Sequence, residues 1–324
     1  MRHTRLAAAS AAALALVSSF ALSSLGAAAA GKPTVNVAFA GSLADLMDNT
    51  VGPRVAQMDH LVYQGRGAGS FALAQEIKSH TIPANLFYSI GTAPFKVLGK
   101  RVPWTVTFAT APLVLAYNPH SKFAAALKAV AQAKKPFRDL FTILGEPGFH
   151  LGRTNPETDP QGRAFYLMVV LAQKLYGLPS NTVSKVLGAP ENSRQVFSET
   201  GILTQLQSGA LDAASAFLPE AIERHLAYVP LPPAIDFGDV RDAALYREAS
   251  VNVPHVGRVV GTPLTVAVAP ITGSRTYPAG IRFLEASIGP ALRSAWTRNG
   301  YTVTAFRYTG PLSQIPQALK RESP

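Results

Sequence analysis

Cysteine is absent from all 324 residues. That excludes disulfides, a thiolate metal site, a cysteine nucleophile and the acylated N-terminal cysteine of an exported lipoprotein. After the first 30 residues no second apolar run of membrane-spanning length follows. The seven histidines form no H-x-x-H or H-x-x-x-H pair, and six of them (His60, His80, His120, His150, His225 and His255) are far apart. They read as solvated or capping residues rather than metal ligands. A G-x-S-x-G nucleophile elbow is missing: Ser42 is followed by Leu43-Ala44 and Ser70 by Phe71-Ala72. No enzymatic role is expected. Gly65-Arg66-Gly67-Ala68-Gly69-Ser70 is glycine-rich but lacks the Lys-Ser/Thr pair of a phosphate-binding P-loop. Basic residues are scattered without interleaved aromatics, so no nucleic-acid partner is expected.

What is present begins with a leader. Arg2 and Arg5 precede an Ala/Leu/Val-rich run from Leu6 to Leu25, and Ala27 to Ala30 offer a small-x-small cleavage site. Residues 1–30 read as a secretory signal peptide, the rival being an uncleaved anchor. The formal charge is +11; without the two leader arginines it is 28 − 19 = +9. That charge favours anionic partners, or serves as a solubilising surface. Trp104 and Trp296 read as core residues, and Arg66 as either a surface residue or one reaching an anion.

Beyond the leader, strands and helices alternate, which predicts an α/β protein. Strands are expected near 35–40, 61–64, 85–89, 149–152 and 213–217. Helices are expected over 43–57, 71–79, 123–133, 201–208, 220–227 and 280–299, with a long one after Gly162. Residues 110–117 and 259–268 read as strands crossing between two lobes, with a ligand between the lobes. Two strand-to-helix turns stand out: Ala40-Gly41-Ser42-Leu43 and Gly67-Ala68-Gly69-Ser70. Each points backbone N–H groups and a hydroxyl at the start of a helix, where the dipole favours an anion. The plainer reading is an ordinary helix cap. Glu220, beside Pro219, reads as a first-turn helix acid.

In order along the chain, these turns, Leu113 to Tyr117, Asp159-Pro160-Gln161-Gly162-Arg163, Ser198-Glu199-Thr200, Leu206 to Asp212, Val260 to Leu264 and Phe283-Leu284…Gly300-Tyr301 resemble the periplasmic molybdate/tungstate-binding proteins of ABC importers, the tungstate-binding branch most of all. The resemblance covers nearly the whole chain after the leader. It implies a two-lobed periplasmic-binding-protein type II fold with mixed, mainly parallel sheets and a double crossover. Lobe 1 would comprise 31–112 and 266–324, and lobe 2 113–265. It implies a receptor that captures molybdate or tungstate and delivers it to an ABC permease in the inner membrane. The receptor would be monomeric, free in the periplasm without a lipid anchor, and without a cofactor. The metal of the oxyanion would be the only metal. Ser42 and Ser70 match first-lobe donors, Asp159 the acid that reaches the oxyanion's metal, Gln161 a backbone donor site and Glu199 the second-lobe wall. The chain departs from the pattern at Ala216 and Phe217, where the tungstate branch has Glu-Tyr, and at Ile90-Gly91, where an Asp is missing. Those departures keep open a two-lobed receptor for another anion or a small organic acid.

Overall fold

Alternating apolar residues build the first strand, β1 (Thr34–Ala40), whose Val35, Val37 and Phe39 are fully buried. The structure, a computed structural model, describes residues 31–321; the leader read over residues 1–30 lies outside them. β2 (Val62–Ala68), β3 (Leu86–Ile90) and β4 (Thr105–Thr110) continue the first sheet. The chain then builds a second sheet from β5 (Leu113–Tyr117), β6 (Leu151–Thr154), β7 (Val196–Phe197), β8 (Ala213–Phe217) and β9 (Ala227–Pro230). A hairpin follows, β10 (Ser250–Val253) with β11 (Gly257–Val260). β12 (Thr265–Pro270) and β13 (Thr302–Thr309) return to the first sheet.

The strand orders are β13-β4-β12-β3-β1-β2 and β7-β6-β8-β5-β9. In the first, β1 to β4 point one way; in the second, β6 to β9 do. The strands that open each crossing, β5 and β12, run antiparallel to both neighbours. This is the two-lobed, mainly parallel α/β arrangement with two crossovers that the sequence implies.

Both crossings are more articulated than two continuous strands. Residues 110–117 divide at Ala111-Pro112, because Pro112 has no N–H to carry a ladder forward. Residues 259–268 divide at Gly261–Leu264, so Val259 and Val260 belong to the hairpin and only Thr265 onward to the first sheet. A Cβ on Gly261 would lie 2.1 Å from the Tyr246 carbonyl, so this turn requires glycine. The two connections hold each other: the Ala111 N–H donates to the Leu264 carbonyl at 2.9 Å.

Three other elements differ from expectation. β2 runs past Gln64 to Ala68 because Gly65 and Gly67 lie under the Phe39 ring, where a Cβ would meet ring carbons at 2.9 Å. Gly289-Pro290 splits the C-terminal helix into Tyr277–Ile288 and Pro290–Arg298. β13 carried no clear sequence signal. Trp104 and Trp296 are core residues; Trp296 packs edge-on against Phe108 and donates its Nε1–H to the Ser287 carbonyl at 2.9 Å. Exposed Arg66 pairs with half-buried Glu76 at 2.7 Å. His60, His80 and His225 take left-handed backbone just after helices. Among the described residues no helix is long and apolar enough to cross a membrane.

Candidate functional site

The two Gly-Ser turns lie side by side because β1 and β2 are parallel and in register through Ala40 and Ala68. After β1 the chain enters a tight turn, Gly41–Leu43, whose first N–H groups have no partner within the turn. After β2 it starts the helix Ser70–Lys78. A Cβ on Gly67 would lie 3.5 Å from Gly41 Cα, and one on Gly69 would lie 2.9 Å from the Thr158 carbonyl of the second lobe. The lobes meet there: the Phe71 N–H donates to the same carbonyl at 3.1 Å.

Across this contact the second lobe brings three acids. Asp159 caps the helix Pro160–Leu175, accepting at Oδ1 from the Gln161 N–H at 2.8 Å. Glu199 follows β7 and reaches the first lobe. Its carboxylate accepts from the Gly41 N–H at 2.9 Å and the Ser42 N–H at 3.0 Å. Glu220 accepts from the Phe217 N–H at 2.7 Å, the helix-start role read from sequence, and also from the Gln161 side-chain amide at 2.8 Å. Gln161 Oε1 in turn accepts from the Ser215 hydroxyl at 2.7 Å.

Ser42, Asp159, Gln161, Glu199, Ser215, Phe217 and Glu220 are buried; Ser42 Oγ has no hydrogen-bond partner, and the second carboxylate oxygen of Asp159 faces the Thr154 hydroxyl. Buried polar atoms are almost always paired, so the unpaired Ser42 hydroxyl is left available to another oxygen. Ser70 differs: its hydroxyl accepts from the Ile90 N–H at 3.3 Å. Ile90, where the resembled pattern has an acid, thus serves the Ser70 side chain through its backbone. Phe217 is fully buried and offers the site its backbone N–H rather than a hydroxyl.

Burial and mutual repulsion set the electrostatics. Burial pushes the Asp159 carboxyl up to about 6, against the pull of the Gln161 N–H. Burial, then the charges of Asp159 and Glu220, hold Glu199 well above the usual carboxylate range despite its two N–H donors. Burial lifts Glu220 to about 7, and burial with Asp45 and Glu220 lifts Glu223 to about 9. Near neutral pH this cluster shares protons, and a protonated carboxyl is a donor.

The structure therefore gathers Ser42, Ser70, Asp159, Gln161, Glu199 and Phe217 with Glu220, which the sequence reading took first as a first-turn helix acid. It also adds Ser215, the polar residue of the otherwise apolar strand Ala213–Phe217, and Tyr301, whose hydroxyl donates to the Ser42 carbonyl at 3.2 Å. The Tyr301 contact spans 259 residues and leaves no local signal. Away from the site, Glu157, Glu191 and His255 bring ligand-capable atoms within 4.8 Å of one another at a largely exposed position.

A profile of the bacterial extracellular solute-binding protein family matches residues 35–302. The chain is 30% identical over 204 residues to a Haloferax volcanii protein named for ABC-transporter molybdenum binding, covering 63% of this chain and 62% of that protein. It is 28% identical over 230 residues to an uncharacterized solute-binding protein of Saccharolobus solfataricus, of which it covers 55%. The chain thus spans less than two thirds of the length of these relatives. Over 260 residues it is 22% identical to the molybdate/tungstate-binding protein WtpA of Thermococcus kodakarensis, covering 73% of this chain and 71% of that protein. Among solved structures it superposes on the periplasmic molybdate-binding protein of Azotobacter vinelandii with TM-score 0.57 at 17% identity, over 83% of this chain and 98% of that one. It superposes on the sulfate-binding protein SubI of Mycobacterium tuberculosis with TM-score 0.55 at 14% identity, over 83% and 86%. These likenesses show the two-lobed fold.

Proposed function

From the premise that this chain belongs to the bacterial extracellular solute-binding protein family, we propose that it is the periplasmic receptor of an ABC importer for a tetrahedral oxyanion, molybdate or tungstate. The carrying observation is the orphaned, buried Ser42 hydroxyl beside two N–H groups that already hold a carboxylate. Glu199 demonstrates what the Gly41–Ser42 turn can bind: two oxygens of one anion, at hydrogen-bond distance. An incoming oxyanion takes the same donors, so Glu199 yields them and turns from latch to wall.

In this reading the lobes, 31–112 with 266–324 and 113–265, close about the Ala111–Leu264 connection. Ser42, Ser70 and the Gly41 and Ser42 N–H groups hold the anion from one side. Asp159, oriented by Gln161, meets it from the other, with Phe217 closing the floor. Protonated Glu199 and Glu220 donate where ionised ones would repel, so no buried counter-cation is required. Closure is what the permease recognises, and no covalent step is involved. Residues 1–30 export the chain, which works as a monomer.

Titration calorimetry of the mature protein, from about Gly31, against molybdate, tungstate, sulfate and phosphate tests this. Tight binding of molybdate or tungstate with little response to sulfate is the expected result. Absence of heat with all four anions overturns it.

A further inference from the structure

A second cleft, of about 670 Å³, lies between the end of β3, the start of the helix Pro160–Leu175, the β10–β11 hairpin and the return crossing. None of Ser42, Ser70, Asp159, Glu199 or Glu220 lines it. Its volume falls in the range of small-molecule sites, roughly 300–1,000 Å³.

Two independent features of its wall point the same way. Every ionisable side chain on it is a base: Lys96, Arg163, Arg247, Arg258 and Arg307, with no Asp, Glu or His. Among the described residues the ion pairs Arg66–Glu76, Lys174–Glu248 and Arg241–Asp239 involve none of these five bases. Arg163 is fixed instead by the carbonyls of Pro156 and Glu157 and lies 3.7 Å above the Phe71 ring. The second feature is apolar. Of six large hydrophobic side chains left exposed, two, Val256 and Val260, line this cleft at 39% and 38% exposure. Val259 and the half-buried Phe71 also line it.

We propose that this cleft is a second binding site, for a soluble organic anion: a carboxylate, phosphate or sulfonate head on an apolar body of small-molecule size. Arg247, Arg258, Lys96 and Arg307 neutralise the head, and Val256 and Val260 cover the body. Lys96 and Arg307 come from first-sheet elements and Arg163, Arg247 and Arg258 from segments that follow β5 and precede β12. The occupant therefore touches both lobes beside the crossing. A purely inorganic oxyanion leaves the apolar wall unused, which separates this site chemically from the Gly41–Ser42 turn. The inference stands whether or not the oxyanion reading does.

The test uses the mature protein and 8-anilinonaphthalene-1-sulfonate as a fluorescent probe, displaced by decanoate, decyl phosphate or decyltrimethylammonium below their micellar concentrations. One saturable probe site is expected, displaced by the two anions and not by the cation. The double variant Arg247→Ser/Arg258→Ser should weaken probe and decanoate binding about tenfold, the worth of two partly solvated charge contacts. Its melting temperature and tungstate titration should stay unchanged. Equal displacement by the cation, or unchanged decanoate affinity in the folded variant, overturns the proposal. So does a third result: sedimentation with phosphatidylglycerol vesicles that is lost in the variant while decanoate fails to displace the probe, which would make this wall a membrane-binding face.

Discussion

Ser42→Ala should move ligand affinity and stability in opposite directions. The Ser42 hydroxyl is buried without a partner, so the folded protein bears the cost of dehydrating it. Such an unsatisfied group costs about 1–3 kcal/mol. Removing it should raise stability by about 1 kcal/mol, which for a chain of this size is a gain of roughly 2–4 °C in melting temperature. Toward a bound oxyanion the same hydroxyl is a donor to charge, worth about 1.5–3 kcal/mol. Its loss should weaken tungstate or molybdate binding about 10- to 150-fold. Ser70→Ala is the internal contrast, because it strips the Ile90 N–H of its acceptor and should lower both affinity and melting temperature. Calorimetric titration and thermal scans on both variants decide the matter. A Ser42→Ala protein with wild-type affinity and a lowered melting temperature refutes the reasoning, since the hydroxyl would then be structural and not aimed at a ligand.

Oxyanion affinity should increase as pH falls from about 8.5 to 6.5, with proton uptake on binding, because a dianion beside Asp159, Glu199 and Glu220 favours their protonated forms; titrations in buffers of different ionisation enthalpy measure this, and a flat profile contradicts it. Glu220 is lifted from 4.5 to about 7, so its contribution to stability is complete below pH 4.5 and is lost as pH rises through 7. Integrated, that loss is about 3 kcal/mol; Glu220→Gln, which keeps the acceptor, should flatten the fall of melting temperature between about pH 5 and 8, and an unchanged slope counts against the assignment. Gly69→Ala places a Cβ 2.9 Å from the Thr158 carbonyl of the facing lobe, and should weaken ligand capture about tenfold, chiefly through faster release, with little change in melting temperature; unaltered release kinetics would show that this contact does not limit closure.

The fold was legible wherever the information is local and periodic. Val35, Val37 and Phe39 announce β1, and the polar turn before Gly162 announces a helix, which the structure starts slightly earlier, at Pro160, with Asp159 as its cap. What escaped depends on contacts between distant segments. β2 looks too rich in glycine to continue past Gln64 until the Phe39 ring is seen lying over Gly65 and Gly67. β13 finds its identity only by pairing with β4. In the site, the serine turns and Asp159 carry local signatures, whereas Glu220 does not advertise its second partner. The distance from Glu220 to Gln161 is 59 residues along the chain, and capping alone is a sufficient local explanation for an acid after Pro219.

Three buried acids around a turn built for anions look contradictory only while each acid is counted as a fixed charge. Among the described residues no lysine or arginine is hydrogen-bonded to Asp159, Glu199 or Glu220, although Arg163 and Arg224 act on Asp159 and Glu220 through space; these carboxyls accept from N–H groups and from the Gln161 amide. Donors of that kind favour the ionised form, while burial and mutual repulsion favour the neutral one and outweigh them. The cluster thus changes sign of action with its protons: ionised, Glu199 occupies the Gly41–Ser42 donors as a competing anion; protonated, it releases part of its hold and can donate to an oxygen. Replacing the Glu-Tyr pair of the resembled pattern by Ala216 and Phe217 removes one carboxylate and one hydroxyl from the strand, and Glu220, three residues beyond Phe217, returns a carboxyl to the same pocket from the following helix. The carboxyl is thereby supplied from the helix start instead of the strand, while the hydroxyl has no counterpart at Phe217.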